Sequence, residues 1–467
     1  MASTLAPQQP VAGLYPPTVA AAARPQPLLA FLFRFVANPL ATVPRKAYEE
    51  GIVVGSGGGP VAWLTDPALI ETVLLEEAER FPKTPLERQV FGRTLGDGLL
   101  TSQGAAWRWQ RRTAAPLFRP ADLTGLVPAM SHAAEAQLDR WRTHPAGAVQ
   151  AIDRDMSRTT FHVISRTMFA GSADDEAAAI LHAAERMLVS VSWDIAAAML
   201  HFPAWLWYPG KYGRRRAGDA LRAAVAAILT RRRDAGLEGD DLLVRLACAR
   251  DPETGAPMSE RQLIDNLLTF LAAGHETTAK ALTWALYLVA RAPGWQQRVR
   301  REVQAVAGAA AIDAGHLEHL VVTRAVVEET MRLYPPAPIM ARLASAATSL
   351  GGVALPQGAI VMIPIYALHR HRRLWEDPDR FDPERFFPER RGRIARTQFM
   401  PFGFGPRTCI GASFAMMEAV AILATLVRGA QFQWDGRHLP EPLSRITLRP
   451  KGGMPLGVSL LGEAGRD

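Results

Sequence analysis

Cysteine is nearly absent: Cys248 and Cys409 are the whole supply in 467 residues. Two thiols cannot build a disulfide framework, so a reducing cytoplasm is expected and any sulfur chemistry falls to a single thiol. An excess of one charge is also small. Lys and Arg outnumber Asp and Glu by +8, a mild field at this length that suits acidic partners and is no nucleic-acid signature. No early apolar run is long enough to span a bilayer, because the stretch from Leu28 to Phe33 is cut by Arg34, Asn38 and Pro39. Arg24 is the only charge before it, so neither a membrane anchor nor a secretory leader is expected. Repeats and long low-complexity linkers are missing as well. The rest is ordinary globular material, 48% hydrophobic and 21% charged, which excludes a disordered chain. The start is rich in Ala, Pro and Gln, so residues 1–27 are expected to form a mobile tail ahead of a folded unit over 28–467.

Helical periodicity in Ala-, Leu- and Arg-rich blocks dominates, which predicts a mostly α fold with small antiparallel sheets. Ile52-Val53-Val54 and Val61-Ala62-Trp63-Leu64 flank Gly55-Ser56-Gly57-Gly58-Gly59 and read as a hairpin. A phosphate-cradling loop would need a helix with Lys and Ser or Thr next, and a strand follows instead. A second hairpin is expected from Val353-Ala354-Leu355 through Pro356-Gln357-Gly358 to Ala359–Ile363. The clearest helix begins after Ser259, where Ser259 and Gln262 match a capping box, and runs from Glu260 to Arg291 before Pro293-Gly294 stop it. In its middle lies Ala272-Ala273-Gly274-His275-Glu276-Thr277-Thr278, small and polar where a core helix is normally large and apolar. A mid-helix glycine costs about 1 kcal/mol relative to alanine, so a local rule is broken where function is expected.

Phe402-Gly403-Phe404-Gly405-Pro406-Arg407-Thr408-Cys409-Ile410-Gly411 precedes an apolar helical stretch from Ala412 to Val427. A cysteine in a glycine-rich turn at a helix mouth meets backbone N–H groups and the positive end of the dipole, which favour thiolate. Such a thiolate can be a nucleophile or a metal ligand; a lone inert core cysteine is the plain alternative. Glu329 and Arg332 are three apart on a helix and can pair. Trp107 and Arg111 share a helical face four apart. His369 and His371 lack the companions of a metal site, and Cys248 reads as a core residue.

The segment from Phe402 to Gly411 resembles the Phe-x-x-Gly-x-Arg-x-Cys-x-Gly signature of the cytochromes P-450, the haem-thiolate monooxygenases. Three further motifs follow the family's pattern, and the resemblance spans about residues 30–460. It implies haem b (iron protoporphyrin IX), with Cys409 as axial iron ligand and Phe402 packed beside it. Trp107, Arg111, Arg342, Arg407 and Gly411 join them as cofactor-binding residues, the arginines toward the propionates. Glu329-Thr330-Met331-Arg332 and Pro383-Glu384-Arg385-Phe386 resemble the helix and partner segment whose Glu329, Arg332 and Arg385 form a buried structural ion network. Ala273, Gly274, Glu276 and Thr277 resemble the oxygen-binding motif. Ala273 leaves room, Gly274 allows close approach and a local opening of the helix, and Glu276 with Thr277 relays protons. His275 is not expected as a second ligand, since its face leaves the haem.

By that resemblance the chain is a single large fold, overriding the several domains its length suggests. It is expected to hydroxylate or epoxidise a fatty-acid-like or terpenoid substrate with dioxygen. Phe270, Ala273, Thr277, Ile339 and Met340 would line the pocket. The chain ends soon after Cys409, at Asp467, without a flavin or iron–sulfur segment. Electrons are therefore expected from a separate acidic ferredoxin or flavodoxin with its reductase, docking on Arg108, Arg112 and Arg119. A peroxygenase or isomerase on the same fold and a non-catalytic haem sensor are the alternatives.

Overall fold

The computed structural model describes residues 13–23, 27–55, 61–169, 179–180, 183–184, 191–200, 202–203 and 205–462. Its helices include α1 (Leu28–Ala37), α2 (Gly104–Ala114), α3 (Val127–Arg142), α4 (Ile152–Met168) and α5 (Val191–Met199). They continue with α6 (Lys211–Asp234), α7 (Glu260–Arg291), α8 (Pro293–Ala307), α9 (Val321–Leu333) and α10 (Ala412–Gly429). The strands are short: β1 (Ile52–Gly55), β2 (Val61–Leu64), β3 (Ala148–Ala151), β4 (Met340–Leu343), β5 (Thr348–Leu350) and β6 (Val353–Leu355). After them come β7 (Ile360–Ile363), β8 (Ala430–Gln433), β9 (Pro442–Ser444), β10 (Leu448–Pro450) and β11 (Pro455–Leu460).

The axis of the molecule is α7. Ser259 caps it as expected: Gln262 N donates to Ser259 Oγ at 3.3 Å, and Ser259 N donates back to Gln262 Oε1 at 2.9 Å. Over 32 residues it runs roughly 48 Å, and its apolar residues are buried against α4, α6, α9 and α10. Gly274 lets α4 come close, since a Cβ there would stand 2.8 Å from Ile164 Cδ1. The α-helix is nonetheless continuous through Gly274, so the expected local opening is not found. Among the described residues α10 alone is long and apolar enough to cross a membrane, and most of it is buried inside the protein.

The first hairpin forms as expected, with Ile52 opposite Leu64 and Val53 opposite Trp63; its turn, 56–60, lies outside the described residues. The second does not. β6 pairs with β5, while β7 joins β2 in parallel and β4 in antiparallel register. The turn is Gly351-Gly352, with φ of 56° and 79°, the two-residue geometry that positive-φ glycines favour. Gly358 instead closes a bend back to Ala344. β3, β11 and β8 make a further antiparallel sheet.

The tail expected to be mobile over 1–27 is docked where it is described. Ala22 N donates to Val43 O, Phe381 N to Leu14 O, and Tyr334 Oη to Pro17 O. An extended proline-rich segment has no internal backbone partners, so it takes them from the body it crosses.

Candidate functional site

The loop before α10 is shaped by its glycines. Gly403 and Gly405 have φ of 74° and 72°, and a Cβ on Gly405 would stand 2.0 Å from Leu74 O. No L side chain fits there. The turn closes when Cys409 N donates to Phe402 O at 2.8 Å and Thr408 N to Gly405 O at 3.0 Å. Cys409 is exposed while most of the helix behind it is buried. Protein packed around the thiol pushes its pKa up; the Gly411 N–H and Arg111 act in the opposite sense. Both partners favour sulfur as an anion, the form that binds metal.

α7 contributes the second part. Phe270, Gly274 and Thr277 are half-buried and Ala273 is exposed, a spacing of three and four that forms one open stripe, flanked by half-buried Ala272 and Glu276, on a largely buried helix. Phe270 meets Phe118 edge to face, with ring centroids 5.2 Å apart. Thr277 Oγ1 donates to Ala273 O at 2.7 Å, leaving its lone pairs to accept a proton-bearing neighbour. Glu276 and Thr277 do not bond one another: Glu276 accepts from Thr447 Oγ1 at 2.8 Å. His275 is buried off the stripe, bonded through Nδ1 to Leu271 O at 3.0 Å. Ile339 and Met340 are half-buried at the start of β4, and a Cβ on Gly403 would stand 3.3 Å from Met340 Cε.

Cations form the third part. Arg407 stacks on Trp107, its guanidinium carbon 4.1 Å from the ring centroid, and donates to Ser102 O at 3.1 Å. Burial, with Arg342 nearby, pushes the Arg407 pKa down to about 10, and burial lowers Arg111 and Arg342 also. None of the three has a salt bridge to a carboxylate among the described residues. Glu87 is the carboxylate whose charge acts on Arg342 and Arg407, and Lys83 already pairs with it, so drawing the three guanidinium groups out of water is costly. A ligand bearing carboxylates would remove that cost, so the residues fit a haem whose propionates face these arginines. Lys83 was not singled out in the sequence. It lies close enough to Arg342 and Arg407 for their charges to act on it, and its Nζ is 2.7 Å from Glu87. Its setting in Phe81-Pro82-Lys83-Thr84-Pro85 gives no periodic signal.

The support beneath the loop is ionic. Arg332 Nε and Nη2 reach Glu329 Oε2 and Oε1 at 2.6 and 2.8 Å, both residues fully buried. Arg332 also donates to the carbonyls of His369, Pro378 and Arg380. Arg385 Nε lies 3.7 Å from Glu329 Oε1. His369 completes the link, since its Nε2 accepts from Met400 N at 3.0 Å where the cysteine loop begins. Desolvation lowers this imidazole to about 3, so it is neutral and able to accept.

Two expectations fail here. Arg112 is committed to Asp251, with bonds of 2.5 and 2.9 Å, and to Glu253 at 2.7 Å, so it offers little to a partner. Cys248 is exposed at the end of the helix Leu242–Cys248, because Leu243 and Leu246 take the inward face.

Comparison with known proteins agrees with this geometry. The family model described as Cytochrome P450 matches residues 39–456. A cytokinin hydroxylase of Arabidopsis thaliana is 34% identical over 423 residues, covering 88% of this chain and 81% of that protein. A cyclooctatin synthase of Streptomyces melanosporofaciens is 33% identical, covering 89% of this chain and 88% of that protein. An 11-oxo-beta-amyrin 30-oxidase of Glycyrrhiza uralensis is 30% identical, covering 88% and 80%. The crystal structure of the cytochrome P450DA heme domain superposes with a TM-score of 0.80 at 25% identity, over 89% of this chain and 91% of that one. With the sequence match and the fold in agreement, this chain belongs to the cytochrome P450 family and is a haem-dependent monooxygenase.

Proposed function

We propose that Cys409 ligates the haem iron, that Trp107, Arg111, Arg342 and Arg407 hold the propionates, and that Phe402 and Gly411 frame the sulfur. On this reading 28–467 is one monooxygenase unit. It acts in a reducing cytoplasm on an apolar, lipid-like or terpenoid molecule. The observation that carries it is the open stripe Phe270, Ala273, Gly274 and Thr277 on the buried core helix. Those walls offer apolar contact and one hydroxyl, with no charge to anchor a head group. The relatives named for cyclooctatin and an amyrin support the terpenoid choice.

Bound haem supplies the redox centre at which dioxygen, two electrons and two protons give water and one oxygen atom inserted into substrate. The chain's own part is to exclude water, hold the substrate over Ala273 and deliver protons. Thr277 stands on the open stripe, and Glu276, one residue before it, is tied to Thr447. Thr277→Ala is expected to lower the share of electrons that end in product about tenfold or more, while peroxide-driven turnover persists. Product yield per NADPH consumed, measured beside the peroxide reaction, checks this. Equal loss in both would remove the relay role and favour simple packing.

Electrons are proposed to come from a separate acidic ferredoxin or flavodoxin and its reductase. Support comes from an open concavity of about 990 Å³ on the outer side of the cysteine loop, lined by Phe402, Gly403, Thr408, Met416 and Arg396 among others. Arg119 precedes Pro120 at its edge, and both Arg119 and Arg396 are exposed. Among the described residues Arg108 pairs only with exposed Glu79, at 3.2 Å, a contact that a partner's carboxylate can replace. Turnover with an acidic partner is expected to fall as salt rises from low to physiological strength. A rate indifferent to ionic strength would contradict docking on these cations.

A further inference from the structure

Successive side chains leave an α-helix about 100° apart, so Glu276 and Thr277 of α7 cannot share one direction. Thr277 lies on the open stripe, and Glu276 is half-buried at its edge. A glutamate at an edge has three rotatable bonds, and ordering it costs rotamer freedom. A carboxyl that swings between water and the pocket would spend part of its time out of reach of Thr277. Thr447 opposes that swing: its Oγ1 donates to Glu276 Oε1 at 2.8 Å.

The donor stands on a fixed frame. Thr447 is 4% exposed, at the tip of the hairpin of β9 and β10, where Leu448 is opposite Ser444. Further along α7, Trp284 Nε1 donates to Leu448 O at 3.1 Å, and Leu448 N donates to Pro336 O at 3.0 Å just past α9. On the other strand Asn38 Nδ2 donates to Pro442 O at 2.9 Å, and Asn38 Oδ1 accepts from Ser444 N at 3.2 Å. Arg445 N closes the tip on Thr447 O at 3.1 Å. A β-branched side chain on such a backbone is stiff at χ1, so the hydroxyl is aimed before Glu276 meets it. Trp284 and Pro336 already secure the hairpin to the core, so the Thr447 bond is not needed to hold the strands. What it restrains is the longer and freer partner, the glutamate. The hydroxyl has one proton and gives it to Oε1, which leaves Oε2 to take up or release a proton.

We propose that Thr447 is a positioning residue for proton delivery, fixing the Glu276 carboxyl at the edge of the open stripe with one oxygen held and the other free to exchange a proton. This rests on the reading of Glu276 and Thr277 as the relay. The test compares T447V, which removes the hydroxyl and keeps the branched shape, with T447S, which keeps the hydroxyl, in the haem-loaded full chain. T447V is expected to lower product per NADPH about three- to tenfold and to raise the solvent deuterium isotope effect on turnover about twofold. T447S is expected to stay near the parent in both, and peroxide-driven turnover to be unchanged in T447V. E276Q is expected to lower the yield as well, and T447V/E276Q to fall no further, because the hydroxyl acts through the carboxyl. Infrared absorption gives a readout apart from activity: the carboxylate band that disappears in E276Q is expected to broaden in T447V and to stay narrow in T447S. Circular dichroism and haem absorption check the fold, and T447A removes the same donor if T447V loses haem. Equal losses in T447S and T447V would assign the effect to packing of the hairpin and overturn the proposal, as would additive losses in the double variant. A normal yield in T447V beside a low one in E276Q would remove the role of Thr447 alone. A normal yield in E276Q would remove the relay, and this role with it.

Discussion

Glu329→Gln is expected to cost about 3–5 kcal/mol of stability and to leave much of the purified protein without haem. Glu329 accepts from both Arg332 nitrogens and from Asp382 N at 2.7 Å, and it lies 3.7 Å from Arg385. A glutamine keeps one acceptor oxygen but turns an N–H₂ toward cations that already lack water. Arg332 would then be a fully buried charge supported only by neutral acceptors, the amide oxygen and backbone carbonyls, and by the Trp375 ring 5.1 Å away. An intact buried pair is little evidence of stability, but removing one member leaves an uncompensated charge. The damage travels to the haem side because Arg332 holds the His369 carbonyl, and the His369 ring holds Met400 at the start of the cysteine loop. Denaturant unfolding together with haem content per chain is the check. A loss under about 1 kcal/mol, the range of surface pairs, would contradict a supporting role.

Glu418→Gln is expected to act in the opposite direction, raising stability at pH 7 by up to about 3 kcal/mol. Glu418 is fully buried on α10, and neither carboxyl oxygen has a hydrogen-bond partner among the described residues. Thr278 is near enough to ease the charged form, yet its hydroxyl is directed to Gly274 O at 3.4 Å. Burial therefore dominates and raises the carboxyl from 4.5 to about 8. Below pH 4.5 both folded and unfolded chains carry the proton and the residue costs nothing by this route. Between 4.5 and about 8 only the folded chain binds it, so stability falls as pH rises; above about 8 the loss levels off. The variant removes that slope. Unfolding midpoints at pH 5 and pH 8 in both proteins test it, and parallel pH dependences would show that the carboxyl is not held protonated.

What could be read from the chain follows the range of the interactions involved. The capping box at Ser259 and the proline after Arg291 are local signals, and α7 has those bounds. The glycine spacing before Cys409 encodes a turn that only glycine can make, so the loop was legible residue by residue. Partner choice was not. Val353–Leu355 and Ile360–Ile363 have the pattern of a hairpin, but Gly351-Gly352 makes a tighter turn and β7 gains more from β2 and β4. Docking of residues 13–23 depends on Tyr334, Tyr366 and Phe381, more than three hundred positions away. Arg112 reads as a surface cation until Asp251 is brought beside it. Glu418 gives no sign of its burial either, since a polar residue on an apolar helix is normally turned outward.

Absorption of the reduced protein under carbon monoxide, for the parent chain and Cys409→Ser, tests the sulfur–iron bond most directly. Thiolate ligation predicts the long-wavelength Soret band in the parent and its loss in the variant, whose fold is checked by circular dichroism. A parent protein without that band, or a variant that keeps it, would contradict Cys409 as the ligand.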